Sequence, residues 1–188
     1  MVSVLKLPNF PLTEILYDKK TYNKKFNINQ EMLFCKKCVH LSLKHIVNQD
    51  FIYKKNYIFK SKGTKRNIEN YLLNFKKFIQ KNENKKMNNK YLIDVGGNDS
   101  TFLSLFNNKQ KINIDPNGKR KKNIKVYIDF FENINFEIFK KYNKVYLSSH
   151  TIEHLPDIKK LKQKMSESMK KRDSLYIQTP SAELFIDN

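Results

Sequence analysis

The sequence predicts an α/β protein built on a parallel sheet, with a small irregular module ahead of it. Beyond residue 90, short apolar stretches alternate with apolar stripes at helical spacing, the pattern of strands and covering helices. The stretch Tyr91-Leu-Ile-Asp94-Val-Gly96-Gly97-Asn98-Asp99-Ser100 reads as a strand running into a glycine turn, and Thr101-Phe-Leu-Ser-Leu-Phe106 as the helix after it. A second apolar strand, Lys111-Ile-Asn-Ile-Asp115, ends in an acid 19 positions after Gly96. That is close to the offset of about 20 residues at which a carboxylate meets ribose hydroxyls in nucleotide-binding α/β folds.

Residues 1–60 carry irregular aromatics, Pro8 and Pro11, and no sustained helical period, so they form the small N-terminal module. In 64–81, Ile68, Tyr71, Leu72, Phe75, Phe78 and Ile79 make one apolar stripe with lysines opposite, predicting an amphipathic helix that covers the sheet. Polar residues 82–89 read as a linker, so 61–89 is helix plus linker and 90–188 the sheet domain. A third strand is expected over 123–131, an amphipathic segment over 136–142, a fourth strand over 144–149 and a fifth over 174–179. Between the last two, Pro156-Asp157 opens a helix lined by Ile158, Leu161, Met165 and Met169. Such alternation predicts strand order 3-2-1-4-5, helices on both faces and ligand loops at the strand carboxyl ends. At those ends sit Asp94, Asp115, Asp129 with Phe130, and Ser148-Ser149-His150.

Composition narrows the class. With 188 residues, 39% of them hydrophobic and 14 Phe, the chain can bury one core of ordinary size plus a small appendage. The absence of an apolar run of membrane-spanning length and of a signal-peptide pattern predicts a cytoplasmic protein. The net charge of +19 invites a nucleic-acid partner, yet only Arg66, Arg120 and Arg172 are arginine, the residue favoured for phosphate and base recognition. Lysine spread over the surface reads as compositional bias, and Lys119-Arg-Lys-Lys122 as a solvated loop. This argues against nucleic acid as the main partner.

The glycine turn points to a ligand. Asp94-Val-Gly96-Gly97-Asn98-Asp99 departs from the Gly-x-Gly-x-x-Gly of a pyrophosphate cradle and adds two acids, which would repel a pyrophosphate. They suit a cofactor with a ribose and a cationic centre, and S-adenosylmethionine is of that kind. In the N-terminal module, Cys35-Lys-Lys-Cys38 lies before a short apolar strand. Two thiolates on one turn are half of a tetrahedral zinc site, which needs about four ligands; His40 follows Cys38 too closely for the usual loop, so the metal site is incomplete. The other reading is a pair of free thiols.

Together, Asp94-Val-Gly-Gly-Asn-Asp-Ser100, Ile114-Asp115-Pro116, His150-Thr-Ile-Glu153-His154-Leu-Pro-Asp157 and Ile177-Gln-Thr-Pro180 resemble class I S-adenosylmethionine-dependent methyltransferases of Rossmann-like fold. The nearest branch in pattern is the sugar-nucleotide C-methyltransferases. The similarity extends upstream, through Phe10-Pro-Leu-Thr-Glu14 and Phe34-Cys-Lys-Lys-Cys38, to their cysteine-ligated zinc module. The resemblance implies that Gly96, Gly97, Asn98 and Asp99, together with Asp94, hold the methionine part. It further implies that Asp115 holds the ribose, and that Asp129 and Phe130 frame the adenine, with Ser149 beside the cofactor.

His150, at a strand end, and Tyr57, in an aromatic-Ser run resembling one near the family's active site, are the candidate catalytic residues. Ser100 replaces the usual third loop glycine, the first Cys-x-x-Cys is missing, and the family's C-terminal acceptor region is absent from these residues. The expected function is methyl transfer to a small acceptor such as a sugar nucleotide, with self-association or a partner supplying the missing elements. The alternatives are a catalytically silent cofactor-binding fragment and a basic nucleic-acid-binding protein or RNA methyltransferase.

Overall fold

The structure is a computed structural model that describes residues 1–12, 27–57, 60–61, 66–83 and 85–180. For 55–56, 66–69 and 85–86 it describes the backbone alone, so the predicted role of the Ile68 side chain lies outside the described residues. The chain divides into two compact units, Met1–Phe59 and Lys60–Asn188.

In the first unit, β1 (Val2–Pro11), β2 (Asn27–Phe34) and β3 (Leu41–Leu43) form an antiparallel sheet in that order. The irregular module predicted from the sequence is therefore built on a β-meander. Its strands escaped the period-two pattern because β1 slips register against β2 between Ser3 and Leu5 and again between Leu7 and Phe10. Each slip reverses which side chains share a face. Pro8, without an N–H for the ladder, falls in the second slip. Gln30, buried in β2, fixes the strand to the segment after β3: its amide donates to the His45 carbonyl at 2.8 Å and its oxygen accepts the His45 N–H at 3.0 Å. A helical turn, Asp50–Asn56, ends at Tyr57.

The second unit carries a five-stranded sheet of β4 (Tyr91–Val95), β5 (Lys111–Ile114), β6 (Lys125–Tyr127), β7 (Lys144–Ser149) and β8 (Ser174–Gln178). Every pair is parallel, and the order along the sheet is β6-β5-β4-β7-β8. Alternation along β4 sends Leu92 and Ile93 to opposite faces, and each face has its own core. On one, α1 (Arg66–Asn82) and the short α2 (Thr101–Ser104) bring Leu72, Phe75, Ile79, Phe102 and Leu103 against Leu92, Val145 and Leu147. On the other, α3 (Ile158–Ser168) brings Leu161 and Met165 to Ile93, Ile112, Ile114 and Tyr146, with Phe131, Phe136 and Phe139 from the β6–β7 connection. Both faces are covered, as a parallel sheet requires.

Several segments are shorter than their patterns suggested. The third strand, expected over 123–131, is Lys125–Tyr127, because the Asp129 carboxylate takes the Phe130 N–H at 2.7 Å and turns the chain into a 3-10 turn, Phe131–Asn133. The amphipathic segment over 136–142 is a single 3-10 turn, Phe136–Phe139. The expected linker holds another, Lys85–Asn89, that buries Met87 in the first core. Two residues of the predicted stripes face outward: Phe78 is 55% exposed and Ile158, at the first turn of α3, 51%. Asp157 caps α3, accepting the N–H groups of Lys159 and Lys160. No helix of the described residues is long and apolar enough to cross a membrane.

Candidate functional site

The carboxyl ends of β4 and β5 meet at the glycine loop. Gly96 extends the ladder by donating its N–H to Ile114 at 2.9 Å, then turns the chain at φ +78°. A side chain there would collide with Thr151, whose Oγ1 lies 2.1 Å from where a Cβ would stand. Gly97 is required from below. Its Cβ would come within 2.5 Å of Asn113 Oδ1 and 2.7 Å of Asp94 Oδ2. Asn98 at φ 46° and Ser100 at φ 63° are also left-handed, a conformation that costs a non-glycine residue of order 1 kcal/mol. Ser100 thus has the backbone that a third loop glycine would adopt most easily.

Asn113, which the sequence reading passed over, holds this loop in place. It is fully buried in β5, and its Nδ2 donates to the Asn98 carbonyl at 2.8 Å and to Ser100 Oγ at 2.7 Å. The available signal was an amide at the core-facing centre of an otherwise apolar strand. Asp115, just past β5, closes the loop from the side: Oδ2 accepts the Asn98 N–H at 2.9 Å and Oδ1 the Asn117 N–H. Burial, the largest influence, pushes the Asp115 carboxyl up, against the pull of those N–H groups.

The two acids that flank the glycines differ in their partners. Asp94 points into the sheet beneath Gly97, 2% exposed, with Oδ2 lacking any hydrogen-bond partner. Desolvation, reinforced by the Asp115 charge, pushes its carboxyl up to about 8. Burial thus favours the protonated form of Asp94 near neutral pH. Asp99, also buried, accepts the Thr101 N–H at 3.1 Å through Oδ1. The following helix, α2, is only four residues long, and its first N–H is thereby taken by the chain's own acid.

On the other side, β7 delivers Ser149, His150 and Thr151. Ser149 Oγ lies 3.4 Å from the Tyr71 hydroxyl of α1 and 3.2 Å from Gln178 Oε1 of β8. His150, left-handed at φ 52°, places Nδ1 3.4 Å from Glu153 Oε1 and packs its ring on Tyr71 at 5.0 Å. Tyr71, taken from the sequence as a core residue, joins these polar groups. Asp129, past β6, also accepts from Asn133 Nδ2 at 2.8 Å. Tyr57 belongs to the first unit, where its ring lies 5.3 Å from that of Tyr53.

Cys35 and Cys38 are free thiols on the turn between β2 and β3. Among the described residues no three or more His, Cys, Asp or Glu side chains group as a metal site. In the second unit, the loop after β4, Asp115, Asp129 with Phe130, and the Ser149–His150 corner all follow strand carboxyl ends of one sheet. The chain matches no protein-family model and no curated protein.

Proposed function

We propose that the second unit binds S-adenosylmethionine and that the protein transfers its methyl group to a small acceptor, a nucleotide-linked sugar being the class the sequence favours. The observation that carries this reading is the 2.9 Å bond from the Asn98 N–H to Asp115 Oδ2. It joins the glycine loop of one strand to the terminal acid of the next, where a parallel sheet offers its ligand crevice. A carboxylate there can accept from a ribose diol, and Gly96 supplies the sharp turn that brings the loop over the strand ends.

In this reading Gly96 to Asp99 hold the methionine part, Asp115 the ribose, and Asp129 and Phe130 the adenine. The cofactor supplies an electrophilic methyl on a sulfonium, so the protein's task is largely positioning. For a carbon acceptor a base is also needed, and His150 is the candidate. Glu153 beside Nδ1 favours a proton on that nitrogen and leaves Nε2 as the acceptor. Incubation with methyl-labelled S-adenosylmethionine and a panel of nucleotide-linked keto-sugars tests the reading, with label transfer lost in His150→Ala as the expected result. Label appearing only in RNA would favour the nucleic-acid alternative.

A further inference from the structure

The Cys35–Cys38 turn belongs to the first unit and carries both cysteines of the chain. It closes the connection between β2 and β3, whose ladder brings Phe34 opposite Leu41. The Cys35 N–H donates to the His40 carbonyl at 2.9 Å, and the Val39 N–H returns to the Cys35 carbonyl at 2.8 Å with Val39 left-handed at φ 59°. The chain from 35 to 38 is thereby curled into one turn. Residues three apart across a turn lie within about 7 Å at Cα, about the span that a disulfide bridges. Cys38 is exposed and Cys35 half-buried.

Nothing else on this turn competes for the sulfurs. No third metal-ligating side chain groups with them among the described residues, and residues 13–26, 58–59, 62–65, 84 and 181–188, which lie outside the described ones, contain neither cysteine nor histidine. The Cys38 N–H beside its sulfur, the largest influence, pulls the Cys35 pKa down and so favours the thiolate. A thiolate, not a thiol, is the species that attacks a disulfide.

We propose that Cys35 and Cys38 are a reversible redox pair that exchanges with low-molecular-weight disulfides such as oxidised glutathione. The Cys35 thiolate attacks one sulfur of the small disulfide, whose S–S bond breaks and releases one thiolate, leaving Cys35 in a mixed disulfide. Cys38 then loses its proton to solvent, and its thiolate attacks Cys35 Sγ and expels the second small thiolate. The released thiolates take up protons at neutral pH. Two protein thiols are oxidised, one disulfide is reduced to two thiols, and no other electron carrier is needed.

The test is equilibration of the full chain in glutathione buffers from fully reduced to strongly oxidising, with acid quenching, maleimide alkylation and intact mass. The expected product is a monomer lighter by two hydrogens that takes up no maleimide and regains both thiols on reduction. Cys38→Ser should stop at a Cys35–glutathione adduct, and this adduct should form several-fold faster than the Cys38 adduct in Cys35→Ser. Four results would overturn the proposal: thiols that stay alkylatable in the most oxidising buffer, a disulfide between chains, maleimide protection that a chelator releases, or faster reaction at Cys38. The first three can be read on the wild type alone and do not depend on either variant folding. None depends on whether the second unit binds a cofactor.

Discussion

Asp94 and Asn113 face each other across the β4–β5 ladder, both buried, and the two oxygens that lie against Gly97, Asp94 Oδ2 and Asn113 Oδ1, have no hydrogen-bond partner. Asn113 cannot turn its amide round to relieve this, because Nδ2 is committed to Asn98 and Ser100. Two buried acceptors side by side are costly. A proton on Asp94 lowers that cost by removing the buried charge and supplying a donor, in keeping with a carboxyl pushed up to about 8.

Stability should therefore depend on pH through Asp94. Its folded pKa lies above the unfolded value of about 3.9, so the folded chain holds the extra proton between the two. The contribution is complete below about pH 4, falls as pH rises and is spent above about pH 8. At about 1.4 kcal/mol per pKa unit this is on the order of 5 kcal/mol. Urea unfolding across that range should show wild-type stability falling with pH. In Asp94→Asn, where a neutral amide can donate to Asn113, the slope should flatten and the variant should be the more stable at the alkaline end. Parallel curves would mean that Asp94 does not hold the proton.

Gly96 and Thr151 give a steric prediction. Gly96→Ala places a Cβ 2.1 Å from Thr151 Oγ1 on a backbone at φ +78°, and the combined overlap and strain should cost on the order of 3 kcal/mol. Thr151→Gly should recover the overlap but not the strain, so the double variant should be more stable than the sum of the singles. Simple additivity in chemical denaturation would place the cost elsewhere.

A third prediction concerns the buried ion pair at the start of β7. Lys144 Nζ and Asp173 Oδ2 are 2.7 Å apart with both side chains fully buried, and Asp173 also accepts the N–H groups of Lys144 and Lys170. Lys144→Met strands a buried carboxylate and should cost about 3–5 kcal/mol. Adding Asp173→Asn should restore part of the loss, since the amide oxygen can still accept an N–H. A calorimetric melt of the three variants reads the order directly.

The elements legible in the sequence were those with local periodicity. The strand, glycine turn and second acid stood out because Tyr91 to Asp115 keep their spacing and their breaker residues, and α1 because Leu72, Phe75 and Ile79 recur at helical intervals. Phe78 shares that spacing yet stays exposed, its ring edge-on to Tyr176 at 6.1 Å, since how far the core reaches round a helix is set by the neighbouring elements. The meander of β1 to β3 was illegible because register slips break its alternation. The 3-10 turns span too few residues to show a period. Asn113 and the Lys144–Asp173 pair were missed for one reason: polar residues are buried when partners distant in sequence satisfy them, and those partners are visible only in three dimensions.

The central claim is that the loop after β4 and Asp115 form a cofactor cradle, and isothermal calorimetry with S-adenosylhomocysteine tests it most directly. The account predicts binding by the wild type. In Asp115→Ala the affinity should fall by on the order of 2 kcal/mol, roughly 30-fold, as expected when hydrogen bonds to a charged acceptor are removed. No binding by the folded wild type, or equal affinity in a folded Asp115→Ala, would contradict it.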